Sequence, residues 1–109
     1  ICDRYYDSTR AYQVAAGGLD PKTLDTLNAL IEAPAPDRTF VLDLDAIAGL
    51  ARSQGKHVGE DRFEKKTADF HVRVRAEFLA IAAREPKRCI VLDASKPAAD
   101  VLTAAKAAL

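Results

Sequence analysis

Thr39-Phe40-Val41-Leu42-Asp43-Leu44 is a short apolar run that opens on β-branched and aromatic residues and closes around an acid. Such a run reads as a buried strand. A second, Arg88-Cys89-Ile90-Val91-Leu92, has the same character, and Ile1-Cys2-Asp3 reads as the end of a third. Helical patterns lie between them. Ser8 to about Ala16 forms a plausible first helix that stops at the flexible pair Gly17-Gly18. Asp20 as N-cap and Pro21 at the first helical position open a second, with Leu24, Leu27 and Ile31 at helical spacing, halted before Pro34-Ala35-Pro36. Ala46 to about Ser53 fits a short helix and Gln54 to Glu60 a polar loop. A long helix is predicted from near Arg62 to Arg84, with Phe63, Phe70, Val74, Phe78 and Ile81 as its apolar stripe and Pro86 just beyond. Pro97 starts the last helix, whose buried side would use Val101, Leu102, Ala105 and Leu109. Strands alternating with helices predict an α/β fold, a parallel sheet with helices on both faces.

The 109 residues suffice for one domain with a core. Sixteen basic side chains balance sixteen acidic ones, which disfavours nucleic-acid binding through bulk charge. The sequence has no apolar run near the roughly 20 residues that cross a bilayer, and no signal-peptide layout, so a soluble chain without a membrane partner is expected. Cys2 and Cys89 lie beside apolar residues on predicted strands, which suits buried reduced thiols and a cytoplasmic location. The cysteines, His57 and His71 lack metal-ligand spacing, so a zinc site is not expected.

In a parallel sheet, ligands gather beyond the carboxyl ends of the strands. Asp3-Arg4 occupies that place after the first predicted strand. A carboxylate there can orient the water shell of Mg²⁺ and a guanidinium can fork onto a phosphate. An Asp helix cap beside a solvated Arg is the competing reading.

The longer pattern resembles a known family. Asp3-Arg4-Tyr5, Asp7-Ser8-Thr9, Ala11-Tyr12-Gln13 and Gly18-Leu19-Asp20 resemble the monophosphate-binding segment of bacterial thymidylate kinases. The likeness continues in order through Pro36-Asp37, Phe40 to Asp43, Gly49-Leu50 with Arg52, Asp61-Arg62-Phe63-Glu64, Arg73-Val74-Arg75, Phe78-Leu79, Ala82-Ala83 and Leu92-Asp93-Ala94-Ser95. It implies the C-terminal part of one P-loop nucleoside-monophosphate kinase domain. Residues 1–20 would bind dTMP, about 52–64 would form a lid, and about 93–97 would form an adenine-side loop.

The resemblance implies ATP-dependent phosphorylation of dTMP to dTDP, with Mg²⁺, in a homodimer. Phosphoryl transfer asks a protein for positioning and charge neutralisation, which suits carboxylates and arginines converging on phosphates. Asp3 would hold the Mg²⁺ through water or the acceptor region, and Arg4 the dTMP phosphate, both at the reacting centre with Arg62. Thr9 and Gln13 would meet the thymine edge; four apart, they share one face of a helix. Tyr12 would lie along the deoxyribose and exclude a 2′-hydroxyl by bulk, or else serve as a core or interface aromatic. Arg52, Ser95 and Lys96 would border ATP. Arg62 alternatively forms an ion pair with Asp61 or Glu64, and Ser95 alternatively marks an ordinary helix entry. Arg10 reads as a solvated helix residue.

Two departures stand out. The stretch Arg52-Ser53-Gln54-Gly55-Lys56-His57 lacks the repeated arginines of several family lids, and Val14-Ala15-Ala16-Gly17 replaces a segment that often holds glycines and an Arg. The sequence also contains no Gly-x-x-x-x-Gly-Lys-Ser/Thr phosphate loop; Arg84-Glu85-Pro86 is read as a helix terminus. By resemblance, the strand that carries this loop belongs between Ile1-Cys2-Asp3 and the strand at Phe40. The chain by itself is therefore expected to be inactive and marginally folded. Another nucleoside or nucleotide kinase, or a noncatalytic nucleotide-binding remnant, are the alternatives.

Overall fold

The computed structural model describes residues 1–56 and 68–109. Among them, two strands form: β1 (Thr39–Asp43) and β2 (Cys89–Asp93). They pair in parallel, from Thr39 opposite Cys89 to Asp43 opposite Asp93. Two further hydrogen bonds extend the ladder, Thr39 N–H to the Arg88 carbonyl and Ala94 N–H to the Asp43 carbonyl, both at 2.9 Å. β2 is thus shifted by one residue from the predicted Arg88 to Leu92, while β1 starts at the predicted Thr39 and ends at Asp43, one residue before the predicted Leu44.

The helices in chain order are α1 (Tyr6–Thr9), continuing directly into a π-helical stretch at Arg10–Ala15, then α2 (Pro21–Leu30), α3 (Ala46–Lys56), α4 (Ala68–Arg84) and α5 (Ala98–Ala107). The chain between β1 and β2 carries α3 and α4, so the strands belong to a β-helix-β unit of the kind a parallel pair requires. α4 lies against both strands, and α5 touches β2.

The core follows from alternation. Val41 and Cys89 face Ile81 and Ala82 of α4, with Phe78 packed against the group. Leu42 and Leu92 are in register on the other face; Leu92 is 7% exposed, whereas Leu42 is 60% exposed. Apolar surface at β1 is therefore left bare, a place where burial contributes nothing to stability.

Local chemistry explains the helix starts. The Asp20 carboxylate accepts from Lys22 N–H at 3.0 Å, and Pro21 fits the first helical position. Asp45 does the same for α3, accepting from Ile47 N–H at 3.1 Å and Ala48 N–H at 3.3 Å. α3 runs beyond the predicted Ser53 and absorbs Gln54, Gly55 and Lys56. One glycine costs a helix only about 1 kcal/mol, too little to stop it. Residues 57–67 fall outside the described part, and with them most of the predicted lid, Phe63 and the first residues of the predicted long helix.

Several expectations change. Ile1-Cys2-Asp3 is not a strand: it pairs with nothing in the sheet, Ile1 is fully exposed, and Cys2 is exposed rather than buried. A strand needs a neighbour to take its N–H and C=O groups, and β1 pairs with β2 instead. On α2 only Leu24 is buried; Leu27 and Ile31 are exposed. On α5 no residue is buried, so Leu102 and Leu109 do not form a covered face. Arg10 is not merely solvated, because it pairs with Asp25 of α2 at 2.5 Å.

Candidate functional site

The backbone at Arg4 has φ 64°, in the left-handed region. A side chain there is strained, and such strain is held by its surroundings. Here the guanidinium sits over the Tyr12 ring, 5.1 Å from its centroid. That separation suits cation–π attraction. Asp3 is exposed beside it, and the Cys2 thiol lies 3.2 Å from the Arg4 carbonyl.

Tyr12 stands on the π-helical stretch, where the Ala16 N–H reaches the Ala11 carbonyl at 3.3 Å and the turn is widened by one residue. Ala11 is fully buried beneath that turn. Thr9 and Gln13 flank Tyr12, the first partly buried and the second exposed. The stretch closes over its own last carbonyls: Leu19 N–H donates to Gln13 C=O at 2.7 Å. Gly17 permits this, because a Cβ there would come within 2.8 Å of the Gln13 oxygen, and Gly18 takes φ 81°.

From Tyr12 the site continues into a cavity of about 280 Å³ lined also by Asp43, Asp45, His71, Arg75 and Phe78. Arg75 forks onto Asp43, with Nε at 2.8 Å and an Nη at 3.1 Å, and lies 3.6 Å from Asp45. These contacts hold the Arg75 guanidinium in its charged form, the hydrogen bond to Asp43 first among them. His71 contributes a buried Nε2 that has no hydrogen-bond partner among the described residues, its ring edge-on to Phe70 at 5.6 Å. None of Asp43, Asp45 or Arg75 had a predicted role. The available signal was position, since Asp43 ends a strand where ligands gather.

The residues predicted to border ATP converge separately. Arg52 of α3 donates to the Ala94 carbonyl at 3.3 Å, which brings it to the 93–97 loop. In that loop Asp93 accepts from the Ser95 backbone at 3.0 Å and hydroxyl at 2.5 Å, and these bonds hold its carboxyl below the usual range. Lys96 is exposed next to it. Arg62, the remaining predicted site residue, lies outside the described residues.

One buried ionic cluster lies apart from both groups. Arg88 binds Asp7 at 2.8 and 3.2 Å, Glu85 at 2.6 Å and the Thr39 hydroxyl at 2.7 Å, under the Tyr6 ring. It pins α1 to the start of the sheet from 81 residues away. Hydrogen bonds to Asp7 and Glu85 hold Arg88 firmly charged, its bond to Arg88 lowers the Glu85 carboxyl, and burial raises the Tyr6 hydroxyl and the Cys89 thiol.

The family profile for thymidylate kinase matches residues 1–105. The chain belongs to the thymidylate kinase family. It is 46% identical over 101 residues to the thymidylate kinase of Rhodopseudomonas palustris, covering 87% of this chain and 43% of that protein. It is 41% identical over 116 aligned residues to that of Desulfovibrio desulfuricans, covering all of this chain and 54% of the relative. The crystal structure of the Ehrlichia chaffeensis thymidylate kinase superposes with a TM-score of 0.67 at 31% identity, over all of this chain and 51% of that one. The chain thus spans about half the length of the curated relatives it matches. The parallel α/β arrangement read from residue patterns and the P-loop kinase fold implied by the resemblance both agree with this neighbour.

Among the described residues, no helix is long and apolar enough to cross a membrane, and no group of three or more His, Cys, Asp or Glu could hold a metal ion. Mg²⁺ does not need such a cage. It keeps much of its water shell and commonly takes one or two carboxylates with substrate phosphates. An exposed Asp3 carboxylate beside an Arg is compatible with that.

Proposed function

We propose that this chain is the acceptor-binding part of an enzyme that phosphorylates dTMP to dTDP with ATP. The observation that carries this reading is the stack of Arg4 on Tyr12, which puts a guanidinium held from a strained backbone and an aromatic face together in the segment that resembles the family's monophosphate site. Arg4 would take the dTMP phosphate, Thr9 and Gln13 the base edge, and Tyr12 the deoxyribose. Asp3 would hold Mg²⁺ through water, and that ion would supply charge neutralisation at the transferring phosphoryl. Arg52, Ser95 and Lys96 would border ATP, supported by the contact of Arg52 with Ala94. Arg62 would add charge from a lid spanning about 52–64.

A parallel α/β kinase of this kind would work in the cytoplasm as a homodimer. The phosphate-binding loop would come from sequence outside these 109 residues, which alone would be inactive. The test is phosphorylation by the complete enzyme of dTMP against dCMP, dGMP and thymidine. Selective formation of dTDP is expected. A preference for another acceptor would make it a different nucleotide kinase, and binding without turnover would make it a noncatalytic nucleotide-binding protein. Turnover by the 109-residue chain alone would refute the division of labour.

A further inference from the structure

Among the described residues, the aromatic rings paired with Tyr12 come from one helix. Phe70 lies tilted to its ring with centroids 6.1 Å apart, and Phe78 meets it nearly edge-on at 6.3 Å. Both separations fall in the range where aromatic pairs attract beyond simple burial. Phe70 is itself braced by the His71 ring, and Phe78 rests on the core group of Val41, Ile81, Ala82 and Cys89. On its other contact Tyr12 carries Arg4. The order of contacts is therefore core, α4 aromatics, Tyr12, Arg4.

We infer that Phe70 and Phe78 are positioning residues that fix the Tyr12 ring and, through it, the Arg4 guanidinium. The inference rests on the acceptor-site reading above. The π-helical stretch cannot set the ring by itself. π-helical turns are rare and occur mostly as single bulges, and the segment that carries this one is tied to the start of the sheet through the side chains of Asp7, Arg88 and Thr39. α4, by contrast, is 17 residues long and packs on both strands. A ring displaced by a fraction of its width would open space beside the sugar and carry Arg4 away from a phosphate. Phe70 and Phe78 touch no substrate in this scheme; they act through Tyr12.

The test compares Phe70→Leu and Phe78→Leu in the complete enzyme, with Phe70→Tyr as the ring-retaining variant. Each Leu variant is expected to raise KM for dTMP about 10-fold and to reduce the preference for dTMP over its 2′-hydroxyl counterpart by a similar factor, misplacement being costly at a preorganised site. KM for ATP should stay unchanged, and Phe70→Tyr should restore the parent values. Equal losses for both acceptors and ATP, or unchanged discrimination in Phe70→Leu, would overturn the inference. Because Phe78 also supports the core, Phe70→Leu decides the matter if Phe78→Leu does not fold. Absence of dTMP turnover in the unsubstituted enzyme would instead remove the acceptor-site reading, and this inference with it.

Discussion

Ile1-Cys2-Asp3 and Cys89-Ile90-Val91-Leu92-Asp93 share a pattern: apolar residues, one cysteine, an aspartate at the carboxyl end, and site residues just after it. Only the second is a strand. β2 has β1 beside it, α4 over Cys89 and an ionic cluster at its start, whereas Ile1 to Asp3 are exposed. The difference lies in partners, not in propensity. A strand spends its backbone groups on neighbours, and without one the extended form gains nothing to offset its ordering entropy. Both segments carry residues of the proposed nucleotide site, but one does so from a fixed ladder and the other from a backbone strained at Arg4, whose guanidinium leans on Tyr12.

The ionic cluster is the strongest device holding the two regions together, so removing it should have the largest effect. Arg88 is about one-tenth exposed, and Arg88→Ala would leave Asp7 buried without its counter-charge. Breaking a buried pair from one side costs about 3–5 kcal/mol. Whole-domain stabilities are about 5–15 kcal/mol. Urea unfolding followed by circular dichroism should therefore show Arg88→Ala destabilised by about 3–5 kcal/mol, enough to leave a marginally folded 109-residue chain largely unfolded. A midpoint shift worth under about 1 kcal/mol, the range of an exposed pair, would show that α1 is held by other contacts.

Cysteine reactivity measures the comparison itself. Cys2 is exposed, while Cys89 is buried with its thiol pushed up by desolvation. Alkylation requires the thiolate and access to it. Cys2 should react at least about 10-fold faster in the 109-residue chain, since Cys89 must await an opening of the core. In the complete enzyme, where a neighbouring strand would cover residues 1–3, the Cys2 rate should fall toward that of Cys89. Equal protection of Cys2 in both proteins would mean that the first segment does not depend on a strand partner.

What the sequence disclosed divides along the same line. β1, β2 and α2 were legible because their signals are local: β-branched runs, an Asp20 cap and Pro21. The grouping of Arg52 with Ser95 was legible only through resemblance, since 42 residues separate Arg52 from Ala94. The π-helical turn at Tyr12 was not, because it depends on burying Ala11 and on how α4 meets that segment. The same holds for Asp7 with Arg88 and Asp43 with Arg75, which lie 81 and 32 residues apart in the chain and carry no local signal of their pairing. Local chemistry writes elements; distant pairs become visible only when the chain has closed on them.

Acidification should produce the smallest effect, and it separates the two carboxylates on Arg88. Its bond to Arg88 holds the Glu85 carboxyl below its ordinary value of 4.5. A carboxyl lowered by folding adds stability above its unfolded pKa, and that contribution fades as pH falls through the lower folded value. Glu85 is half exposed, with side-chain accessibility of 50%, so water screens the pair and its share should be under about 1 kcal/mol. Stability measured from pH 6 down to pH 3 should thus decline less steeply in Glu85→Gln than in the parent chain. If the two curves are parallel, Glu85 contributes no pH dependence and Asp7 alone carries the electrostatic hold on Arg88. The start of β2 would then be anchored by one buried carboxylate from α1, which runs on into the π-helical stretch that carries Tyr12 and supports Arg4.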